Sequence, residues 1–229
     1  KIPEDNFDIT SENGQLEIIG WLYQYYISER HEEVVNINNK GAVKKEDIPA
    51  ATQLFTTDWV VRYIVDNSLG RYWIERSPNS HLPEQLEYYI ASEVTEENEP
   101  IRPEEITFFD PCIGSGHFAI YAFDVLMWIY TEYGYSQREA TASIVKNNIF
   151  GVDIDNRAAQ LAYFSVMMKA CQYDRKFLNR NIQPNIFSIP ESNHIDDYYM
   201  DVFCEGDDRV REYMSILLDK FHNAKEIGS

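Results

Sequence analysis

Residues 106–118 read ITFFDPCIGSGHF, and no other stretch of the chain restricts its fold so tightly. ITFFD is a short apolar run closed by an acid, the pattern of a buried strand. Gly114 and Gly116 follow it, and a helix is predicted over residues 117–133, with Phe118, Ala122, Val125 and Ile129 on its core stripe. Two glycines between a strand and a helix let the backbone pass close to a ligand and present N–H groups at a helix N-terminus. The pattern then recurs. Residues 149–153 (IFGVD) form a second apolar run ending in an acid, and Asp155 is placed to cap a helix from residue 156 to about 173. Residues 185–189 (NIFSI) give a third short strand. Ser136 and Glu139 form a capping-box signature for a further helix. This alternation predicts a parallel α/β sheet. Ligands bind such sheets at the carboxyl edge of the strands, where Asp110, Asp153 and the pair Pro190–Glu191 fall.

The flanking segments are helical or polar. Residues 12–30 carry Ile18, Leu22, Tyr25 and Tyr26 at helical spacing, with Ser11 as a cap. Residues 36–50 read as a connection. A second helix is expected from residue 57 to about 69, with Gly70 ending it. Residues 76–105 hold four prolines and eight glutamates and read as an acidic linker or insertion. A last helix is expected over residues 209–221. The implied organisation is an N-terminal helical segment (1–75), the linker or insertion (76–105) and an α/β domain (106–229). The net charge of −18 lies outside residues 106–190, which hold seven acids and seven bases. Such a surface repels phosphate backbones, so nucleic acid would need a neutral cleft or regions beyond this chain. A first residue of Lys rather than Met is expected of a fragment. No apolar run suggests a membrane span, and three scattered cysteines read as reduced thiols of a cytoplasmic protein.

The chemistry of the edge narrows the ligand. The glycine turn alone satisfies a loose dinucleotide fingerprint. However, an acid directly before the turn repels a pyrophosphate, and Asp153 comes 39 residues after Gly114 rather than the roughly 20 of a dinucleotide site. Two acids at neighbouring strand ends suit S-adenosylmethionine, which carries an ammonium, a sulfonium and a ribose but no phosphate. Asp110 would face the ammonium, Asp153 would accept from the ribose hydroxyls, and Ile154 would lie against the adenine.

The motifs resemble those of N6-adenine DNA methyltransferases. DPCIGSGHF (110–118) is similar to their first motif and GVDID (151–155) to their second. QLFTTDWVVRY (53–63) is similar to their N-terminal motif, in the gamma-type order. EIIGWLYQYY, YAFDVLMWIY and QLAYFSVMMKA further resemble the PglX-like methyltransferases of BREX phage-exclusion systems and related type II restriction–modification enzymes. The resemblance implies a partial Rossmann-like S-adenosylmethionine-dependent methyltransferase sheet preceded by a helical segment. It implies that Thr56 donates to the cofactor carboxylate and that Phe55 or Trp59 shapes the pocket. Asp110, Pro111, Gly114, Ser115, Gly116, His117 and Phe118 would form the cofactor loop, and Glu191 or Ser192 would meet the cofactor adenine. In that family an Asn/Asp-Pro-Pro-Tyr/Phe motif accepts the target amine hydrogens and stacks on the extruded base. This chain contains no Asn-Pro, so no catalytic residue is assigned, and the chain alone is expected to bind the donor without transferring methyl. Double-stranded DNA, held mostly by regions outside this chain, and other defence-system subunits are the implied partners. A methyltransferase for protein or small-molecule amides and a non-catalytic acidic scaffold are the alternatives.

His31, His81, His194 and His222 show no metal-ligand spacing with each other or with the cysteines. His117 is expected to act as a helix-start residue rather than a base. The tyrosine clusters 23/25/26, 88/89 and 198/199 are expected in core or interface positions.

Overall fold

The computed structural model describes residues 17–35, 43–53, 56–91 and 99–224. Three parallel strands, β1 (Phe108–Asp110), β2 (Ile149–Asp153) and β3 (Asn185–Ser188), form one sheet in the order β1-β2-β3. Asp110 pairs with Gly151, Gly151 with Ile186, and Asp153 with Ser188. Side chains alternate between faces along a strand, so this register puts Phe108, Asp110, Ile149, Gly151, Asp153 and Ile186 on one face. That face meets the core, where Ile149 and Ile186 are buried with residues of α5 (His117–Tyr133) and α7 (Asn156–Tyr173). The opposite face is open: Phe109 and Phe187 are 57% and 61% exposed.

The connections form as their residues dictate. Gly134, at φ +105°, ends α5 in a left-handed turn that a side chain would strain. Ser136 Oγ accepts the Glu139 N–H, and the Glu139 side chain reaches back to the Ser136 N–H, starting α6 (Gln137–Ser143). Asp155 caps α7 by accepting the Arg157 N–H at 3.0 Å.

On the N-terminal side lie α1 (Glu17–Val35), α2 (Ile48–Thr52), α3 (Asp58–Val65) and α4 (Arg71–Ile74). The Ser11 cap lies outside the described residues. Leu22, Tyr25 and Tyr26, expected on an inward stripe of α1, are exposed instead. Part of the expected 36–50 connection is helical, as α2. Gly70 does not end a helix. A π-helical turn, Asp66–Gly70, joins α3 to α4 without a break. Gly70 packs closely there, since a Cβ would stand 2.6 Å from Leu86 Cδ1 and push that side chain aside.

Leu82 and Leu86, from the stretch read as a linker, are buried in the same core as Val61, Val65, Trp73 and α5. That part of the stretch is therefore built into the body rather than spanning a gap. Asp66, fully buried, holds the joint: it accepts the Tyr121 hydroxyl at 2.8 Å and the Tyr88 N–H at 2.9 Å. After β3 a helical hairpin forms, α8 (Asp197–Cys204) and α9 (Asp208–Phe221). α8 was not expected within the acidic run 191–208. Among the described residues no helix is long and apolar enough to cross a membrane.

Candidate cofactor site at the carboxyl edge of the sheet

The loop between β1 and α5 is held from three sides. Asp110 accepts the Cys112 N–H at 3.0 Å, which turns the chain just past the strand. The Ile113 N–H donates to the Val152 carbonyl at 3.0 Å, tying the loop to β2. The Gly114 N–H donates to Asp153 Oδ2 at 2.8 Å, while Asp153 Oδ1 accepts the Asp155 N–H at 2.8 Å. Asp153 thus joins the first motif to the second, and its two oxygens keep lone pairs for further donors.

Glycine is needed at both bends. Gly114 and Gly116 have φ of +54° and +90°. A Cβ at Gly116 would also stand 3.2 Å from Ala162 Cα, so this residue lets α5 start close against α7. Gly151 in β2 is as specific. A Cβ there would fall 2.2 Å from Ile113 Cδ1, so its missing side chain is the socket for the buried Ile113.

The two acids share the core-facing side of neighbouring strand ends and feel each other. Burial raises the Asp110 carboxyl above its ordinary range, and the Asp153 charge adds to this against the Cys112 hydrogen bond. Burial also raises Asp153, opposed by the N–H groups of Asp155 and Gly114. Two carboxylates held at an energetic cost beside a turn of N–H groups favour a cationic ligand. His117 starts α5, as expected, and burial pushes its imidazole down to about 4, so it is neutral at physiological pH.

Thr56, Gln53, Gly20 and Gln24 line a cavity of about 70 Å³ with the loop residues Cys112, Ile113, Gly114, Ser115, His117 and Phe118. Thr56 therefore meets the glycine loop, and the neighbouring Thr57 is the residue that precedes α3. Phe55 lies outside the described residues. Trp59 is 58% exposed and does not line this cavity. Ile154 and Glu191 are half-buried near the edge. Ser192 is turned away from it, donating its hydroxyl to the Leu218 carbonyl at 2.6 Å. Pro111 and Cys112 are exposed. Of the tyrosine clusters, Tyr25, Tyr26, Tyr198 and Tyr199 are exposed rather than buried.

Sequence reasoning missed the contribution of α1. Tyr23 donates its hydroxyl to Asp155 Oδ2 at 2.6 Å, across a sequence separation of 132. A Cβ on Gly20 would stand 2.3 Å from His117 Nε2 and 2.7 Å from Ser115 Oγ. A glycine inside a helical pattern is a signal of close approach, and here it was available. The Tyr23 partner left no local signal.

The donor set fits S-adenosylmethionine: paired acids, a side-chain-poor turn and no basic side chain on the loop for a phosphate. The methyltransferase domain model described as that of MmeI matches residues 97–197. An adenine-specific methyltransferase PglX of Lacticaseibacillus casei (strain Zhang) is 42% identical over 246 aligned residues, all of this chain and 20% of the relative. An adenine-specific methyltransferase BrxX of Escherichia coli O9:H4 (strain HS) is 47% identical over 201, which is 83% of this chain and 16% of the relative. By sequence, the chain is similar to the PglX-like adenine-specific methyltransferases. It spans about a fifth of the length of these curated relatives. The matched domain segment contains β1, the glycine turn, β2 and β3, so the family likeness is centred on the carboxyl edge.

Proposed function

We propose that this chain is the S-adenosylmethionine-binding part of a cytoplasmic DNA adenine-N6 methyltransferase acting in DNA modification or phage defence. The observation that carries this reading is the placement of Asp110 and Asp153 on one face of adjacent strand ends, over a turn lined with N–H groups. When bound, the donor supplies an electrophilic methyl on a sulfonium. The chain's own residues do the rest of the binding. Asp110, disfavoured as a buried anion, gains from the donor's ammonium. Asp153 keeps the loop in register through Gly114 and offers its remaining lone pairs to the ribose hydroxyls. Ser115, Gly116, His117 and Phe118 form the floor, Pro111 fixes the turn, and Thr56 reaches the donor carboxylate. Phe55, Ile154 and Glu191 complete the pocket around the methionine and adenine ends. A neutral His117 leaves the loop free of a competing cation.

DNA is the proposed substrate of the longer protein, with phosphate contacts made mainly outside this acidic chain. The test has two arms. Thermal stabilisation of the chain by S-adenosylmethionine is expected by mass action. Transfer of labelled methyl to unmethylated DNA by the chain alone is not expected. No stabilisation at millimolar donor refutes the cofactor assignment, and robust incorporation refutes the division of labour.

A further inference from the structure

Two helices bring the N-terminal motif to the glycine loop, and one buried bond fixes how they lie. α3 begins at Asp58, two residues after Thr56, and α5 begins at His117, at the end of the loop. Val61 and Val65 of α3 are buried in one core with residues of α5. Apolar contacts are non-directional, so they press α3 against α5 without fixing its register along it. A hydrogen bond to a buried carboxylate does fix it. Asp66 is fully buried, and its Oδ1 accepts the Tyr121 hydroxyl at 2.8 Å, one helical turn beyond His117. Burial, with the Asp66 carboxylate beside it, raises the Tyr121 hydroxyl above its ordinary range, so it keeps the proton it donates.

Asp66 is braced from its other side. Its Oδ2 accepts the Tyr88 N–H at 2.9 Å, and Asn67 holds the same segment by donating to the Tyr88 carbonyl at 2.8 Å and accepting the Ile90 N–H at 2.9 Å. Tyr121 is also used twice. The Arg62 guanidinium lies over its ring, 4.8 Å from the centroid, and donates to Asp58 Oδ2 at 2.7 Å in the first turn of α3. Asp58 in turn is close enough to His117 for its charge to act there. A buried acid is costly where an apolar side chain could pack. The π-helical turn that begins at Asp66 is a rare departure from α geometry, of a kind frequent at functional sites.

We infer that Asp66, acting through Tyr121, is a positioning residue that sets α3 in register with α5 and so holds Thr56 where the donor's carboxylate lies. This rests on the reading that the edge binds S-adenosylmethionine. The role is specific to one end of that donor. Its ammonium and ribose meet Asp110 and Asp153, which stand on β1 and β2 rather than on α3. A slip of α3 therefore costs the carboxylate contact and leaves the others in place. The decarboxylated form of the donor keeps the ammonium, the sulfonium and the ribose, so it separates the two cases.

Calorimetry measures the affinity of both ligands for the unaltered chain, Tyr121→Phe, Thr56→Val and the two combined. Tyr121→Phe should weaken S-adenosylmethionine by roughly tenfold, the worth of one hydrogen bond to a charged group, and leave the decarboxylated form unchanged. Thr56→Val should do the same, and the combination should lose no more than either alone. Asp66→Asn should bind both ligands like the unaltered chain, because its Nδ2 can donate to Tyr121 Oη while its Oδ1 accepts the Tyr88 N–H. Partial unfolding weakens both ligands alike, so the ratio of the two affinities reports position rather than stability. If Tyr121→Phe does not fold, Asp66→Asn combined with Tyr121→Phe removes the bond without stranding a buried charge, and the same ratio is required of it. Unchanged S-adenosylmethionine affinity in Tyr121→Phe, or equal weakening of both ligands, overturns the positioning role and leaves the cofactor reading standing. Losses that multiply in the Thr56→Val and Tyr121→Phe combination overturn it as well. If the unaltered chain binds neither ligand, the cofactor reading fails and the positioning role fails with it.

Discussion

Replacing Gly151 with alanine should damage the glycine loop from underneath. The added Cβ would lie 2.2 Å from Ile113 Cδ1 and 3.1 Å from both Ile113 Cβ and Cγ1. Ile113 is 3% exposed, so its side chain has no free space to swing into. Its N–H is also bonded to the Val152 carbonyl, so the clash bears on the backbone that leads into Gly114. Overpacking of this kind costs about 1–3 kcal/mol. For a chain of this size that corresponds to a melting temperature lower by roughly 2–12 °C. The functional effect should exceed the stability effect, since lifting Ile113 separates the Gly114 N–H from Asp153. Donor binding is expected to weaken by about tenfold, the loss of one charge-assisted hydrogen bond. Ile113→Val removes the most crowded carbon and costs about 0.5–1.5 kcal/mol alone. Combined with Gly151→Ala, it should recover at least about 1 kcal/mol and most of the donor affinity, because the two positions touch. Denaturant unfolding and calorimetric titration of the four proteins measure both quantities. Additive losses, or a Gly151→Ala protein that binds the donor normally, would refute the socket.

Two further outcomes follow from the electrostatics. His117 has its folded pKa depressed from 6.5 to about 4, so its contribution to stability is complete above pH 6.5 and is lost as pH falls toward 4. The loss should approach about 3 kcal/mol and should vanish in His117→Gln, as read from unfolding curves across that range; an unchanged pH profile in the variant contradicts the burial argument. Asp110 has the opposite sign, since burial raises an acid and its charge opposes folding above the folded pKa. Asp110→Asn keeps an oxygen for the Cys112 N–H and removes that charge. The unliganded variant should melt higher than the parent at pH 7 and bind S-adenosylmethionine more weakly; a lower melting temperature, or equal affinity, would show that Asp110 serves the turn alone.

The α/β half of the molecule was legible because its signals are local. The boundaries of α5, β2 and α7 coincide with a glycine turn, an apolar run closed by Asp153 and a cap at Asp155. The Ser136–Glu139 box likewise needs only four consecutive residues. What was not legible depends on contacts distant in sequence. Gly70 looked like a helix stop, but Leu86 presses on it from another segment. Asp66 falls within the expected helix 57–69 with no local sign of burial, and its burial depends on Tyr88 and Tyr121. α8 was hidden by its own charge, since Asp196 in an acidic run serves as a cap for Tyr198 and Tyr199. Of the candidate site, the acids and the glycine turn could be read from residue type and spacing. The role of α1 could not, because it rests on Gly20 meeting residues almost a hundred positions away.

The central claim concerns one pair of carboxylates, and a titration calorimeter addresses it directly. S-adenosylmethionine should bind the unaltered chain, the phosphate-bearing nicotinamide dinucleotide should not, and Asp153→Ala should lose about 1.5–3 kcal/mol of donor affinity. Preference for the dinucleotide, or identical donor affinity with and without the Asp153 carboxylate, would contradict the account.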